Sequence, residues 1–235
     1  MTEPAGSDGR PARASRVSCI VPVYNGARYL GDALDSILAQ TSPAGEIVVV
    51  DDGSTDDTPD VMDRYAGRIR AVRQANAGPS AARNAGLELS TGELIAFLDA
   101  DDLWLPDKLG RQLAVLDAHP GAMLCFCGIV NFREGSGPSG GPSEWPQSPF
   151  SPCTVLVRRT LFADVGAFDP SLRSGEDTEW FLRVMMRKIA YKVLPDVLVR
   201  RRQHDANLTR THPPSQERLL RLVKMTLDRK RTEGW

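Results

Sequence analysis

Three carboxylates, Asp99, Asp101 and Asp102, fall within four positions directly after the apolar run Leu94 to Leu98. Acids crowded at a strand end repel one another and raise each other's pKa. A divalent cation removes that cost. Hard oxygen ligands suit Mg²⁺ or Mn²⁺, and Mg²⁺ typically sits on one or two carboxylates plus substrate phosphates. The stretch therefore reads as a metal–diphosphate site at the carboxyl end of a central strand, or as a solvated acidic loop that caps a helix. Asp51 and Asp52 close a second apolar run, Glu46 to Val50, and Glu176 and Asp177 open a helical stretch. His204 follows a late apolar run and three arginines, Arg200, Arg201 and Arg202.

Elements that could carry these groups alternate along the first half. Val17 to Val23 is a strand that exits through Pro22 and Tyr24, and Tyr29, Leu30, Ala33, Leu34, Ile37 and Leu38 keep helical spacing behind it. Glu46 to Val50 is the next strand, with Ser54 or Thr55 placed to cap a helix that includes Val61 to Ala66. Ile69 to Val72, a helix from Ala81 to Leu89, the strand before Asp99, a helix from Asp107 to His119, and a strand from Met123 to Phe132 continue the pattern. Alternation with short joints predicts an α/β fold, a mostly parallel sheet with helices on both faces. In such sheets ligands bind beyond the carboxyl ends of the strands, so Pro22–Tyr24, Asp51–Asp52 and Asp99–Asp102 should share one crevice.

The second half loses the alternation. Glu134 to Pro152 is rich in Gly, Ser and Pro and reads as a mobile loop with Trp145 and Phe150 embedded. Cys153 to Arg158, Tyr191 to Leu194 and Val197 to Arg201 read as strands, and Ser174 to about Lys188 as a turn and helix. From Ser215 a closing helix carries Arg218, Arg221, Lys224, Arg229, Lys230 and Arg231 beside Leu219, Leu220 and Leu227. That helix either packs solvated on the domain or touches an anionic lipid surface or partner.

Composition narrows the function classes. The 235 residues are 41% hydrophobic and 25% charged, which suits a globular chain with a full core. A formal net charge of −1 gives no case for general nucleic-acid binding. No apolar run approaches the about 20 residues of a membrane span. Residues 1–16 lack the apolar core of a signal peptide and read as a disordered lead-in. Cys19, Cys125, Cys127 and Cys153 form no C-x-x-C pair and read as buried small hydrophobes, a usage that fits a reducing cytoplasm.

Five segments in order resemble the family-2 glycosyltransferases of GT-A fold: Val21-Pro-Val-Tyr-Asn25, Val50-Asp-Asp-Gly-Ser-Thr-Asp56, Gly78-Pro-Ser-Ala-Ala-Arg-Asn-Ala-Gly86, Phe97-Leu-Asp-Ala-Asp-Asp102 and Gly175-Glu-Asp-Thr-Glu-Trp180. The resemblance implies a nucleotide-sugar-binding half, residues 17–132, and an acceptor-binding half, 133–212, followed by a basic amphipathic helix over 213–235. Pro22 and Tyr24 match positions that line the nucleobase, Asp52 matches the acid that accepts from uracil N3–H, and Asp51 holds the turn. Arg83 matches a basic group near the nucleotide, or else pairs with a neighbouring acid. Asp99 and Asp101 match the D-x-D pair, with Asp101 on the metal and Asp99 on the ribose or a metal-bound water. His204 resembles a histidine that reaches the metal or the diphosphate, unless it is structural.

By the same resemblance Asp177 is the general base. An inverting transfer needs a carboxylate on the sugar face opposite the leaving diphosphate, to take the acceptor hydroxyl's proton. Glu176 stands beside it; Trp180 either walls the acceptor site or packs in the core. The implied reaction moves one sugar from a nucleotide-diphosphate sugar, UDP-linked by preference, to a glycan, lipid-linked or small-molecule acceptor, with Mg²⁺ or Mn²⁺. The expected place is the cytoplasm or the inner face of the membrane. No Gln-x-x-Arg-Trp segment is present, which argues against processive polymer making. G-x-G-x-x-G is missing after the first strand, which argues against a dinucleotide dehydrogenase.

Overall fold

The computed structural model describes residues 16–133, 149–205, 207 and 215–234. The expected lead-in, except for Arg16, and residues 134–148 of the expected loop, Trp145 among them, lie outside the described residues.

One eight-stranded sheet runs through the molecule. Its strands are β1 (Val17–Val23), β2 (Glu46–Asp51), β3 (Arg70–Arg73), β4 (Leu94–Phe97), β5 (Leu103–Trp104), β6 (Leu124–Arg133), β7 (Leu156–Arg158) and β8 (Tyr191–Gln203), in the order β3-β2-β1-β4-β7-β6-β8-β5. Strands β3, β2, β1 and β4 are parallel. Strand β7 runs antiparallel to both its neighbours, while β8 is parallel to β6. The sheet is thus mixed beyond β4.

Both faces of the parallel part are covered, and the strands show it in their alternation. Val17, Cys19, Val21 and Val23 of β1, with Leu94 and Ala96 of β4, face a cluster built with α1 (Leu30–Leu38), α2 (Thr58–Asp63) and α4 (Lys108–Ala118). Ile20, Ile95 and Phe97 face the other layer, where α3 (Pro79–Leu89), α5 (Thr160–Val165) and α6 (Glu176–Met186) pack. Near-continuous apolar runs are what strands buried on both faces require. The last helix, α7 (Gln216–Glu233), packs on α6 and is capped by Ser215, whose Oγ accepts from Arg218 N–H.

Three local expectations are corrected. Tyr191 to Arg201 forms one strand: Pro195 and Asp196 are absorbed where the register against β6 shifts at Gly128. Leu103 and Trp104, placed in no element by the sequence pattern, form a short strand that pairs antiparallel with Arg200 and Val199. Cys153 lies in a 3₁₀ turn over Pro152–Thr154 before β7. Pro152 has no N–H to give a strand ladder, and Thr154 N–H bonds back to Ser151 O at 3.1 Å.

Candidate functional site

Parallel pairing puts the carboxyl ends of β1, β2 and β4 on one edge. Pro22 is half-buried opposite Val50, and Tyr24, just past the strand, is 53% exposed. The turn that follows is held by the second motif. Asn25 N–H donates to Ser54 Oγ (2.9 Å), Thr55 N–H to Asn25 Oδ1 (2.7 Å), Gly26 N–H to Thr58 Oγ1 (2.9 Å) and Ala27 N–H to Asp56 Oδ2 (3.0 Å). Asp51 is buried and accepts from Ser54 N–H at 2.8 Å, the turn-holding role expected of it.

Asp52 is tied more tightly than its expected base-binding role suggests. Oδ1 accepts from Gln74 Nε2 (2.7 Å) and Ala77 N–H (2.9 Å), and Oδ2 from Gly78 N–H (2.8 Å). A carboxylate has about four lone-pair sites. A nucleobase N–H therefore finds only one position left, on Oδ2, and Asp52 visibly holds the loop ahead of α3.

The three acids after β4 part company. Asp101 Oδ2 lies 2.9 Å from His204 Nε2 and accepts from Asn207 Nδ2 at 3.0 Å; the His204 ring packs 4.7 Å from the Tyr29 ring. Asp102 is buried and accepts Arg202 N–H at 3.0 Å, so it caps no helix. Arg202 also donates to Asp101 O (3.1 Å) and to Asp32 (2.8 Å), locking β8 onto the acid loop. Asp99, Asp102 and Cys153 present ligand atoms within 4.8 Å of one another. Burial, and then the charge of Asp99, hold the Asp101 carboxyl above its ordinary range. Burial, then Asp101 and Asp99, push Asp102 further up. Crowded, raised carboxylates beside an imidazole are a donor set that a hard divalent cation fits and would relieve.

Across the crevice stands the head of α6. Gly175 adopts φ 79°, a left-handed backbone that glycine takes without strain, and turns the chain into the helix. Glu176 Oε1 accepts from Arg83 Nη1 at 2.6 Å, and Arg83 Nη2 donates to Asp99 Oδ1 at 2.8 Å. Arg83 thus pairs with two acids, one of the two roles expected of it. Its helix sits close to β1 because Gly86 faces Ile20: a Cβ there would lie 2.3 Å from Ile20 Cγ2. Asp177 is half-buried, with Oδ1 accepting Thr178 N–H at 2.6 Å. Burial and then Glu176 raise its carboxyl pKa, while Arg83 pulls it down. Trp180 packs in the core and not along the crevice. It is 1% exposed, stacks 5.2 Å from Phe162 and donates Nε1–H to Gly166 O at 2.9 Å.

A protein-family model described as Glycosyl transferase family 2 matches residues 18–168. The chain belongs to glycosyl transferase family 2. The match takes in β1 to β4 and the acid loop. An uncharacterised glycosyltransferase of Rickettsia typhi is 33% identical over 212 residues, covering 83% of this chain and 66% of that protein. TuaG of Bacillus subtilis, named for teichuronic acid biosynthesis, is 45% identical over 101 residues, 41% of this chain and 40% of that protein. Among solved structures, S. aureus TarS 1-349 in complex with UDP-GlcNAc superposes with a TM-score of 0.74 at 25% identity, over 90% of this chain and 65% of that one. This family-2 chain has the GT-A fold, and it spans about two thirds of the length of the Rickettsia protein and of the TarS chain. The sequence does not flag Cys153 or the Asn207 side chain as partners of the acid loop: one lies in the turn before β7 and the other just past β8, both far downstream of the acids they meet.

Proposed function

We propose that this family-2 glycosyltransferase moves one sugar from a nucleotide-diphosphate sugar, UDP-linked by preference, to an acceptor hydroxyl with inversion. The observation that carries the reading is the meeting of Asp101 and His204 at 2.9 Å, although 103 residues separate them. Asp101 and His204 would hold Mg²⁺ or Mn²⁺, with Asp99 and Asp102 close by. When bound, the cation supplies charge neutralisation for the departing diphosphate. Pro22 and Tyr24 would line the base, the exposed Tyr24 ring giving it a stacking face. Asp52 would hold the nearby loop and offer its last lone pair to the base. Asp177 takes the acceptor hydroxyl's proton as the new bond forms, and its raised pKa makes it a better proton acceptor than an exposed aspartate. TarS binds UDP-GlcNAc, which supports the donor class.

For the acceptor, the name of TuaG supports a cell-envelope polysaccharide role. No helix among the described residues is long and apolar enough to cross a membrane. Leu219, Leu220 and Leu227 are exposed on α7 among exposed Arg221, Lys224, Lys230 and Arg231. Leucines bordered by cations suit peripheral contact with an anionic lipid surface at the inner face of a membrane. A non-catalytic nucleotide- or glycan-binding module is the alternative, and the presence of both Asp101 and Asp177 speaks against it.

The test is calorimetric titration of UDP, GDP and dTDP, each with and without Mn²⁺. Mn²⁺-dependent binding of UDP, lost in Asp101→Ala, is the expected result. Tight binding of GDP or dTDP instead would replace the donor assignment. No binding of any nucleotide would remove the enzyme reading.

A further inference from the structure

Arg83 joins the two sides of the crevice, and it does so with both ends of its guanidinium. We propose that Arg83 is a positioning residue: a strut that fixes the head of α6, and with it Asp177, against the acid loop. It is then no ligand of the donor's diphosphate. This deepens the reading above and rests on the assignment of Asp177 as base.

The contacts leave little room for another role. Nη2 is spent on Asp99 at 2.8 Å, 16 residues away, and Nη1 on Glu176 at 2.6 Å, 93 residues away. The side chain is 6% exposed, the Phe168 ring lies 5.7 Å below its carbon, and Nε is buried with no hydrogen-bond partner among the described residues. An arginine takes a phosphate through two parallel N–H bonds along one edge of its fork. Here carboxylates hold both terminal nitrogens, and the Nε edge is shut from solvent.

Asp177 depends on this strut because it has no long-range anchor of its own. Among the described residues its hydrogen-bond partners are Thr178 N–H and Thr178 Oγ1, both on its own helix. Its direction therefore follows the first turn of α6, and Glu176 in that turn is what Arg83 grips. The same cation works on the charge of the base. The groups that face Asp177 are Glu176 on its own helix, Arg83 from α3 and Asp99 from the end of β4, with Arg218 of α7 packed beside Gly175. Arg83 favours the ionised form that two of those acids disfavour.

The experiment compares Arg83→Gln, Arg83→Lys and the wild type in four readouts. These are the Kd of UDP with Mn²⁺, kcat and KM for transfer, the pH profile of kcat, and amide hydrogen exchange over residues 176–180. Arg83→Gln is expected to keep the UDP Kd within about threefold and to lower kcat about 100-fold, the scale of a misplaced catalytic group. Its acid limb should move to higher pH, since a cation favouring ionised Asp177 is gone. The amides at the head of α6 should exchange faster. Arg83→Lys keeps the charge without the planar fork, so the acid limb should stay while kcat recovers only in part.

If Arg83→Gln does not fold, Glu176→Gln breaks the bridge from its other end. There kcat should fall while the acid limb moves to lower pH, because a neighbouring negative charge is lost. A more than about tenfold rise in UDP Kd for Arg83→Gln, with acid limb and exchange unchanged, would make Arg83 a donor ligand and overturn the proposal. A wild type that binds no nucleotide overturns the catalytic reading alone. Exchange at 176–180 still reports on the strut in that case, and equal exchange in all variants would refute it.

Discussion

Replacing Asp177 with asparagine separates catalysis from stability in a way that bears directly on the proposed base. The substitution is nearly isosteric, and the amide oxygen can still accept Thr178 N–H, now at 2.6 Å. What is lost is the ability to take a proton. A positioned general base contributes typically 10²- to 10⁴-fold. At about 1.36 kcal/mol per tenfold, that is roughly 3 to 5 kcal/mol of barrier. The fold should respond in the opposite sense. Burial and then Glu176 raise the Asp177 pKa in the folded state above its unfolded value of about 3.9. Stability from such a group is present below about pH 4 and is lost as pH rises through the folded value. Asparagine is neutral throughout, so Asp177→Asn should be as stable as the wild type or more stable at pH 7, with the difference closing below about pH 4. A gain of about 1 kcal/mol would appear as roughly 2–4 °C in Tm for a domain of this size. Thermal melts from pH 3.5 to 8, transfer rates and the Kd of UDP with Mn²⁺ are the assays (pH values about the ordinary carboxylate and neutral ranges). Transfer within about threefold of wild type would refute Asp177 as base. A melting temperature that drops at pH 7 would refute the electrostatic reasoning, even if activity is lost.

Two other variants probe parts that sequence reasoning left open. Trp180→Ala should cost about 3–5 kcal/mol of stability, because it empties a site among Phe162, Phe168 and Phe181, while the UDP Kd measured below the melt stays near wild type. A raised acceptor KM in a fully stable variant would return Trp180 to the acceptor site. On α7, the chain should sediment with phosphatidylserine vesicles at low salt and not with phosphatidylcholine vesicles, and Leu220→Glu with Leu227→Glu should abolish that binding without lowering Tm. Both leucines are exposed, so their replacement removes no core contact. Wild-type protein left wholly in the supernatant would rule the lipid contact out.

The sequence by itself determined the parallel half of the fold. Apolar runs such as Val17–Val23 and Glu46–Asp51 have to be buried on both faces, and helices of matching spacing lie between them. That alternation forces the acids at the strand ends onto one edge, so the crevice and its motifs were legible as patterns. Asp51, expected to hold its turn, does so through Ser54, only three residues away. What only the tertiary structure decided is how each acid spends its charge. Asp101 meets His204 and Asn207, Asp102 meets the backbone of Arg202 and lies near Cys153, and Asp99 shares Arg83 with Glu176. Those partners sit on β8 and just past it, on the turn before β7, on α3 and on α6, and no spacing rule links elements so far apart along the chain. The Trp180 ambiguity had the same origin: helical position sets the face of a side chain, but the neighbours that cover that face come from α5 and the turn at Phe168. Charge compensation and burial are properties of the packed chain, so local spacing does not carry them.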